Sequence, residues 1–267
     1  MPRGFNDYDT ARLQGRLWTP AVLRPAGWWD ATDLSTITIS TGVSEWRDKS
    51  GNNLNVSQST ASLQPSYVQS AINGLPGVTF ERDPLAAVFT QFASGKYLTA
   101  SSYSSSNFGI VYSIIQTANS AFTYYPFGFG SSSGIYGAGT YTGPDRPQGA
   151  QSTGIWDGTS SAESTKLVSL NTPYIGAASA ASSARRMRMN GGFEGSDSTT
   201  QTISAFRIGA QENNGWPMTG SIGEVVITSA FVGIYDVSRL EGYLSHKWAI
   251  PLAADHPFAN RPPLIGD

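Results

Sequence analysis

The chain has no cysteine and only two histidines in its 267 residues. Disulfide bonds and thiol chemistry are therefore excluded, and a zinc site would depend on His246 and His256 alone. Charged residues supply 13% of the sequence, whereas roughly 25% is usual in globular proteins. The net charge of −2 gives no general attraction to nucleic acid or to an anionic membrane. No apolar run is long enough to span a bilayer, so we expect no membrane insertion.

Aromatic residues supply 12% of the chain, and glycine, serine and threonine are abundant. This composition is typical of a β-rich protein with polar loops and enough apolar material for a core. Short apolar runs rich in β-branched residues recur between Gly, Ser, Asn and Pro, which is the pattern of strands and turns. The sequence therefore predicts a β-rich protein, and at this length a β-sandwich is commonly a single domain.

Residues 220–250 read GSIGEVVITSAFVGIYDVSRLEGYLSHKWAI. The run 222–227 predicts a strand buried on both faces, because it is short, apolar and rich in β-branched residues. Helical spacing then relates four apolar residues: Val237, Leu240, Leu244 and Trp248. Gly242 costs about 1 kcal/mol relative to alanine inside a helix, so it predicts close packing there. Pro251 ends this short C-terminal helix, and Ser238 with Glu241 has the spacing of a capping box.

Asp48 and Asn52 lie in the turn sequence DKSGNN. Their side-chain oxygens are candidate ligands for calcium, although one carboxylate is a thin ligand set. Hydrogen bonds from these side chains to the turn backbone are the favoured interpretation. We therefore expect no metal and no cofactor.

A long polar segment, residues 142–164, contains Trp156 next to Asp157. An indole can stack on a sugar ring while the neighbouring carboxylate accepts hydroxyl hydrogen bonds, so this pair is the candidate glycan-binding site. Long ordered loops often carry function. The alternative is a loop tryptophan that packs onto the rim of the sandwich.

The N-terminal segment, residues 1–24, precedes the sandwich pattern and mixes arginines with large apolar residues. Such residues are the kind that anchor protein interfaces, so the segment is a candidate docking arm. Its candidate anchors are Phe5, Tyr8, Arg12, Leu13, Arg16, Leu17 and Trp18. The alternative is that the segment packs back on the domain. At the other end, residues 251–267 are rich in proline and predict an extended tail.

Three motifs resemble laminin-G-like, concanavalin A-like jelly-roll domains. They are W-x-D-x-S-G-N from Trp46, G-x-I-x-E-V-x-I from Gly220 and E-G-Y-L-x-x-K-W from Glu241. Domains of this kind are often found in phage virion proteins and bacterial surface proteins. The resemblance covers most of residues 25–250 and implies one antiparallel β-sandwich there, an all-β jelly roll (concanavalin A-like) with a short C-terminal helix. It says little about activity.

Catalytic motifs are missing from the sequence. It has no Glu-x-Asp-x-x-Glu carboxylate pattern of a jelly-roll glucanase and no Gly-x-Ser-x-Gly nucleophile elbow, so we expect no enzyme. Residues 1–18 lack the apolar core of a secretion signal, which favours a particle assembled in the host cytoplasm.

The leading hypothesis is therefore a structural protein of a bacteriophage virion, as a head decoration, fibre or tail component. Its expected partners are neighbouring virion proteins, further copies of itself and a cell-surface polysaccharide. The alternatives are a glycan-binding adhesion module without a virion role and, more remotely, a glycan-cleaving enzyme.

Overall fold

The computed structural model describes residues 16–82, 95–100, 102–117, 124–130, 133–137, 153–156, 161–163, 168–181, 184–211, 216–229 and 233–267. Among them are seventeen strands and one α-helix: β1 Gly27–Asp30, β2 Ile37–Ile39, β3 Val43–Trp46, β4 Val56–Ser57, β5 Ser66–Ile72, β6 Leu75–Phe80, β7 Leu98–Ala100, β8 Phe108–Gln116, β9 Tyr124–Gly128, β10 Gly134–Gly137, β11 Gly154–Trp156, β12 Ser161–Glu163, β13 Tyr174–Ala181, β14 Ala184–Met189, β15 Gly192–Asp197, β16 Arg207–Ile208, β17 Gly220–Thr228 and α1 Ile234–Trp248. Within the described ranges no helix is long and apolar enough to cross a membrane.

The strands form two antiparallel sheets. The first sheet has the order β15-β14-β13-β8-β17-β6-β5, and β1 pairs with β17 beyond the end of β6. The second sheet has nine strands in the order β12-β11-β10-β9-β16-β7-β4-β3-β2. Their facing side chains make the main apolar core, which includes Trp29, Trp46 and Phe80. The predicted antiparallel sandwich with a short C-terminal helix is confirmed.

Strand β17 is buried along its whole length, as the apolar run predicted. Val225 and Ile227 face the main core between the two sheets, whereas Val226 faces a second apolar cluster outside the first sheet. Alternation of side chains along a strand requires this division. The outer face of the first sheet is therefore apolar and needs a cover.

Helix α1 supplies that cover. Val237, Leu240, Leu244 and Trp248 lie in the second cluster, as their spacing predicted. A Cβ on Gly242 would lie 2.5 Å from the Cβ of Phe258, so the C-terminal tail makes the close contact that this glycine predicted. The predicted capping box is wrong, since Gly233 is the N-cap and Glu241 is buried in mid-helix.

Both described chain ends pack on this helix side. Trp18 is buried in the second cluster, and its ring meets Tyr243 edge-on at 6.4 Å. The backbone N–H of Trp18 donates to the carbonyl of Pro263 at 3.0 Å, and Leu17 forms an isolated β-bridge with Leu264. Segments near the two ends of the chain are thus hydrogen-bonded to each other beside α1.

Replacing Trp248 with alanine should lower the free energy of unfolding by about 3–5 kcal/mol, because a fully buried indole is lost. Trp248→Phe should cost less, about 1–3 kcal/mol, because it keeps a ring but removes an N–H donor. Tyr235→Ala is the control, since this helix residue is 80% exposed and should change stability by no more than about 0.5 kcal/mol. Urea unfolding measures the stability of all three variants. If the urea midpoint of Trp248→Ala equals that of Tyr235→Ala, the helix is not anchored by Trp248.

Candidate functional site

The richest set of charged side chains lies between β1, β17 and α1, around Glu224. This carboxylate is fully buried, and it accepts hydrogen bonds from four side chains. Trp28 Nε1 and the Tyr243 hydroxyl reach Oε1 at 2.7 and 3.1 Å, while Trp248 Nε1 and Lys247 Nζ reach Oε2 at 2.9 and 2.7 Å. Every lone-pair direction of the buried carboxylate is therefore served by a donor of the chain.

Asp30 lies opposite Glu224 in the β1–β17 register and continues the same network. Lys247 Nζ lies 2.8 Å from Asp30 Oδ1, and Lys49 Nζ lies 2.9 Å from Oδ2. Burial alone would raise the pKa of Asp30, but Lys247, Thr32 and Lys49 together hold it below the usual value. Burial raises the pKa of Glu224 most, and the negative charge of Asp30 raises it further. The positive charge of Lys247 offsets these increases only in part.

A second buried ion cluster joins the middle of the helix to β14 and to the C-terminal tail. Arg188 Nε lies 2.9 Å from Glu241 Oε1, and His256 Nε2 lies 3.3 Å from Glu241 Oε2. The backbone N–H of Phe258 donates to His256 Nδ1 at 3.2 Å, so the hydrogen of the neutral ring is on Nε2 and points to Glu241. The two clusters join strands, helix and tail, and their carboxylates face chain donors and not an open cleft.

The second sheet presents a different surface. Its strand registers align one residue from each of the nine strands in an unbroken row, here called the outward row. From one edge to the other it reads Thr38, Glu45, Ser57, Thr99, Arg207, Gly128, Gly134, Trp156 and Ser161. The residues next to them in the strands lie in the main core: Trp46, Val56, Leu98, Ile208, Phe127, Ile135 and Ile155. Because side chains alternate along a strand, the outward row occupies the face that points away from the first sheet.

Arg207 is the middle member of the outward row. Its guanidinium carbon lies 4.4 Å from the centre of the Tyr97 ring, and Nη1 donates to the carbonyl of Gln211 at 3.1 Å. Arg207 and Tyr97 are each half-buried. This stack holds the planar cation in a fixed orientation.

Polar side chains occupy the row on one side of Arg207. Thr38 and Ser57 are exposed, and Thr99 and Glu45 are half-buried. On the other side, Gly128 and Gly134 are buried. A Cβ on Gly134 would lie 2.2 Å from the carbonyl oxygen of Phe127, which explains the glycine.

Trp156, the predicted glycan-stacking residue, is the last residue of β11 and pairs with Gly134 and Ser161. Its backbone therefore belongs to the outward row. Asp157, its predicted partner, lies outside the described residues. Sequence reasoning missed Tyr97, which lies just before β7, and it missed Arg207 and the hydroxyl residues, whose strands of two or three residues are too short to show a period.

The predicted turn chemistry of Asp48 and Asn52 is present. Asp48 accepts hydrogen bonds from the backbone N–H groups of Trp28, Ser50 and Leu54 at 2.8, 2.8 and 3.0 Å. Asn52 Nδ2 donates to the carbonyl of Pro25 at 2.9 Å. Within the described parts of the chain, no group of three or more Asp, Glu or His residues is arranged to hold a metal ion.

Of the predicted docking residues, Phe5, Tyr8, Arg12 and Leu13 lie outside the described residues. Arg16 is exposed and Leu17 is 64% exposed, whereas Trp18 is buried against the helix. The Trp18 side chain thus already packs within this chain, in line with the alternative that part of the segment packs back on the domain. A docking role for the rest of the segment stays a prediction.

No protein-family model and no curated protein sequence matches the chain. Solved structures do match in fold. Domain 4 of an extracellular GH43 arabinanase from Geobacillus stearothermophilus, solved with arabinotriose, has a TM-score of 0.54 at 13% identity and covers 81% of this chain and 98% of that domain. The binding domain of Paraclostridial mosquitocidal protein 1 has a TM-score of 0.55 at 12% identity, covering 89% of this chain and 57% of that one.

A GH54 α-L-arabinofuranosidase has a TM-score of 0.54 at 16% identity over 74% of this chain, which spans only 50% of the enzyme. At such identities the likeness shows the fold alone. The chain thus shares its β-sandwich with domains of carbohydrate-active proteins.

The raised pKa of Glu224 predicts a specific dependence of stability on pH. A raised folded pKa means that stability is fully present below the ordinary value of 4.5 and is lost as the pH rises through the folded pKa. Asp30 acts in the opposite sense, because its lowered pKa gives stability that is lost when the pH falls below the ordinary value of 3.8.

Glu224→Gln removes the first effect, since glutamine cannot ionise. From pH 4.5 toward neutrality, the urea midpoint of the unchanged protein should therefore fall relative to that of Glu224→Gln. Unfolding at several pH values measures the difference, and a difference that stays constant would contradict the prediction.

Proposed function

We propose that this chain is a glycan-binding β-sandwich module without catalytic activity, carried on a bacteriophage virion. The observation that carries the glycan-binding part is the outward row, which offers hydroxyl groups, a fixed cation and the position of Trp156 across nine strands. Sugar recognition uses such a combination of hydrogen-bonding groups and aromatic faces on a firm scaffold. The shared fold with an arabinanase domain solved with arabinotriose supports the same class of ligand.

Absence of catalysis is part of the proposal. Glycoside hydrolysis ordinarily needs two carboxyl groups on either side of the scissile bond. Asp30 and Glu224 are adjacent carboxylates, but both are buried and held by chain donors. Glu45 is the acidic member of the outward row. Binding without cleavage therefore fits the described residues better than hydrolysis.

The position of residues 16–18 supports display on a larger assembly. Residues 16–18 and 263–265 pair beside α1, on the outer side of the first sheet. The outward row lies on the opposite face of the sandwich. An attachment through the N-terminal segment would therefore leave the proposed glycan surface free, as a virion protein that contacts a cell surface requires.

Glycan binding is tested with an array of immobilised polysaccharides and with the Trp156→Ala variant. Loss of a stacking indole should weaken binding about tenfold or more, while the melting temperature stays nearly unchanged. Trp46→Phe is the matched control, because Trp46 is in the core and the change should lower stability without altering the glycans that are bound. If the intact protein binds no polysaccharide on the array, the glycan-binding proposal is contradicted.

The virion role is tested by deleting residues 2–15. The truncated protein should fold, because it keeps Trp18 with its contacts to the helix and to Pro263, but it should fail to enter phage particles. Deleting residues 2–20 is the contrast, since it also removes the buried Trp18 and should destabilise the domain by about 3 kcal/mol or more. Normal incorporation of the shorter deletion into particles would show that the segment does not dock the protein.

A further inference from the structure

We propose that Lys247 and Asp30 condense to an intramolecular amide bond in the folded chain, with Glu224 as the proton carrier. The bond is a self-modification, and it does not depend on glycan binding. Lys247 Nζ lies 2.8 Å from Asp30 Oδ1 and 2.7 Å from Glu224 Oε2. The amine thus contacts both the carboxyl group that it attacks and a second carboxyl group that can take its proton.

Packed elements hold these three groups together. Asp30 and Glu224 are opposite each other in the β1–β17 register, and they share the outer face of the first sheet with Trp28. Lys247 lies in the last turn of α1, next to Trp248, whose buried ring packs in the second cluster. Groups held in contact in this way react as if they were highly concentrated, with effective molarities of about 10⁵–10⁸ M.

The condensation starts from the ion pair and balances without a further reactant. The Lys247 ammonium passes one proton to Asp30 Oδ1, which leaves a neutral amine beside a neutral carboxyl group. The nitrogen lone pair forms the bond to Asp30 Cγ, and the π electrons of the carbonyl move to Oδ2. A second proton passes from the nitrogen to Glu224 and from there to the Oδ1 hydroxyl. The carbonyl then reforms as the bond from Cγ to Oδ1 breaks, and water leaves.

The surroundings of the three groups fit these roles. Lys49 Nζ contacts Asp30 Oδ2 at 2.9 Å, so a positive charge faces the oxygen that becomes negative when the amine adds. Burial raises the pKa of Glu224, which makes its carboxylate a stronger base toward the ammonium. Trp28 Nε1 and the Tyr243 hydroxyl hold the other oxygen of Glu224, Oε1, at 2.7 and 3.1 Å, and Oε2 is the oxygen that faces the amine.

Burial also favours the amide over the ion pair. Asp30 is 4% exposed, and keeping two charges away from water is costly. A neutral amide removes that cost, and the released water returns to the solvent. Lys96 and Glu81 form a contrasting pair at 2.9 Å, in which Glu81 is 55% exposed. Solvent stabilises the ions there, so we expect no amide between Lys96 and Glu81.

The amide ties β1 to the last turn of the helix that covers the outer face of the first sheet. Because Asp30 and Lys247 are far apart in sequence, the link also restricts the unfolded chain, as a disulfide bond does. We therefore expect the linked protein to resist heat and denaturant better than an unlinked variant.

Intact-mass spectrometry of the denatured full-length protein tests the proposal. The measured mass should be lower than the sequence mass by one water molecule. Proteolysis and tandem mass spectrometry should then yield a branched peptide in which the side chains of Lys247 and Asp30 are joined. This mapping is needed because cyclisation at another aspartate gives the same intact mass.

Three variants test the roles of the residues. Lys247→Arg keeps the positive charge but removes the amine, so it should have the full sequence mass and a lower melting temperature. Glu224→Gln keeps the shape of the side chain but cannot carry the proton, so the freshly purified variant should lack the link. Lys96→Arg is the matched control, since it alters an exposed lysine of another ion pair and should retain the loss of water. Circular dichroism establishes that the variants are folded.

Each alternative result has a definite meaning. A full sequence mass for the unchanged protein would overturn the proposal. A branched peptide that joins Lys247 to Glu224, or Lys49 to Asp30, would overturn the assignment of the reacting pair. A link between Lys247 and Asp30 that forms equally well in Glu224→Gln would overturn the role of Glu224. The map of the unchanged protein decides the first two points even where a variant fails to fold.

Discussion

The burial of the Glu224 carboxylate is the constraint on which the architecture depends. Taking an ion out of water costs several kcal/mol unless hydrogen bonds and an opposite charge replace the lost solvent. The replacements come from two elements: Trp28 on β1, and Tyr243, Lys247 and Trp248 on α1, all of which meet the carboxylate on β17. The helix therefore has one satisfactory place on the first sheet, and its apolar stripe then covers the outer face of that sheet.

Local patterns in the sequence predicted the fold well. The turn at Asn73 and the turn at Asn190 have the positive φ angles that Asn-Gly hairpins require, and β17 is buried on both faces. The partners of Glu224 were not predictable, because Trp28 is 196 positions away and no local pattern links the two. The alternation of β14 likewise does not reveal that Arg188 pairs with the buried Glu241, since tertiary contacts decide which charges of an alternating strand are covered.

The candidate site was predicted only in part, for a topological reason. Trp156 stood out in a long polar segment, but Arg207 belongs to a strand of two residues that gives no periodic signal. Strand β16 lies between β7 and β9, so residues far apart in sequence share one row. The sandwich assigns its two outer faces to different tasks. One face is closed by α1 and by residues 16–18 and 263–265, and the other carries the outward row.

The chain has few charged residues, and their placement adds a chemical difference between the two outer faces of the sandwich. Several ion pairs join strands, helix and loops: Asp30 with Lys49 and Lys247, Arg185 with Asp197, and Arg188 with Glu241. Those charges hold the fold together and are largely withdrawn from solvent. The outward row presents instead hydroxyl side chains, the stack of Arg207 on Tyr97 and the backbone position of Trp156. The two outer faces of the sandwich therefore differ in the interactions that they can make: one is closed by apolar packing, and the other is built for hydrogen bonding and ring stacking.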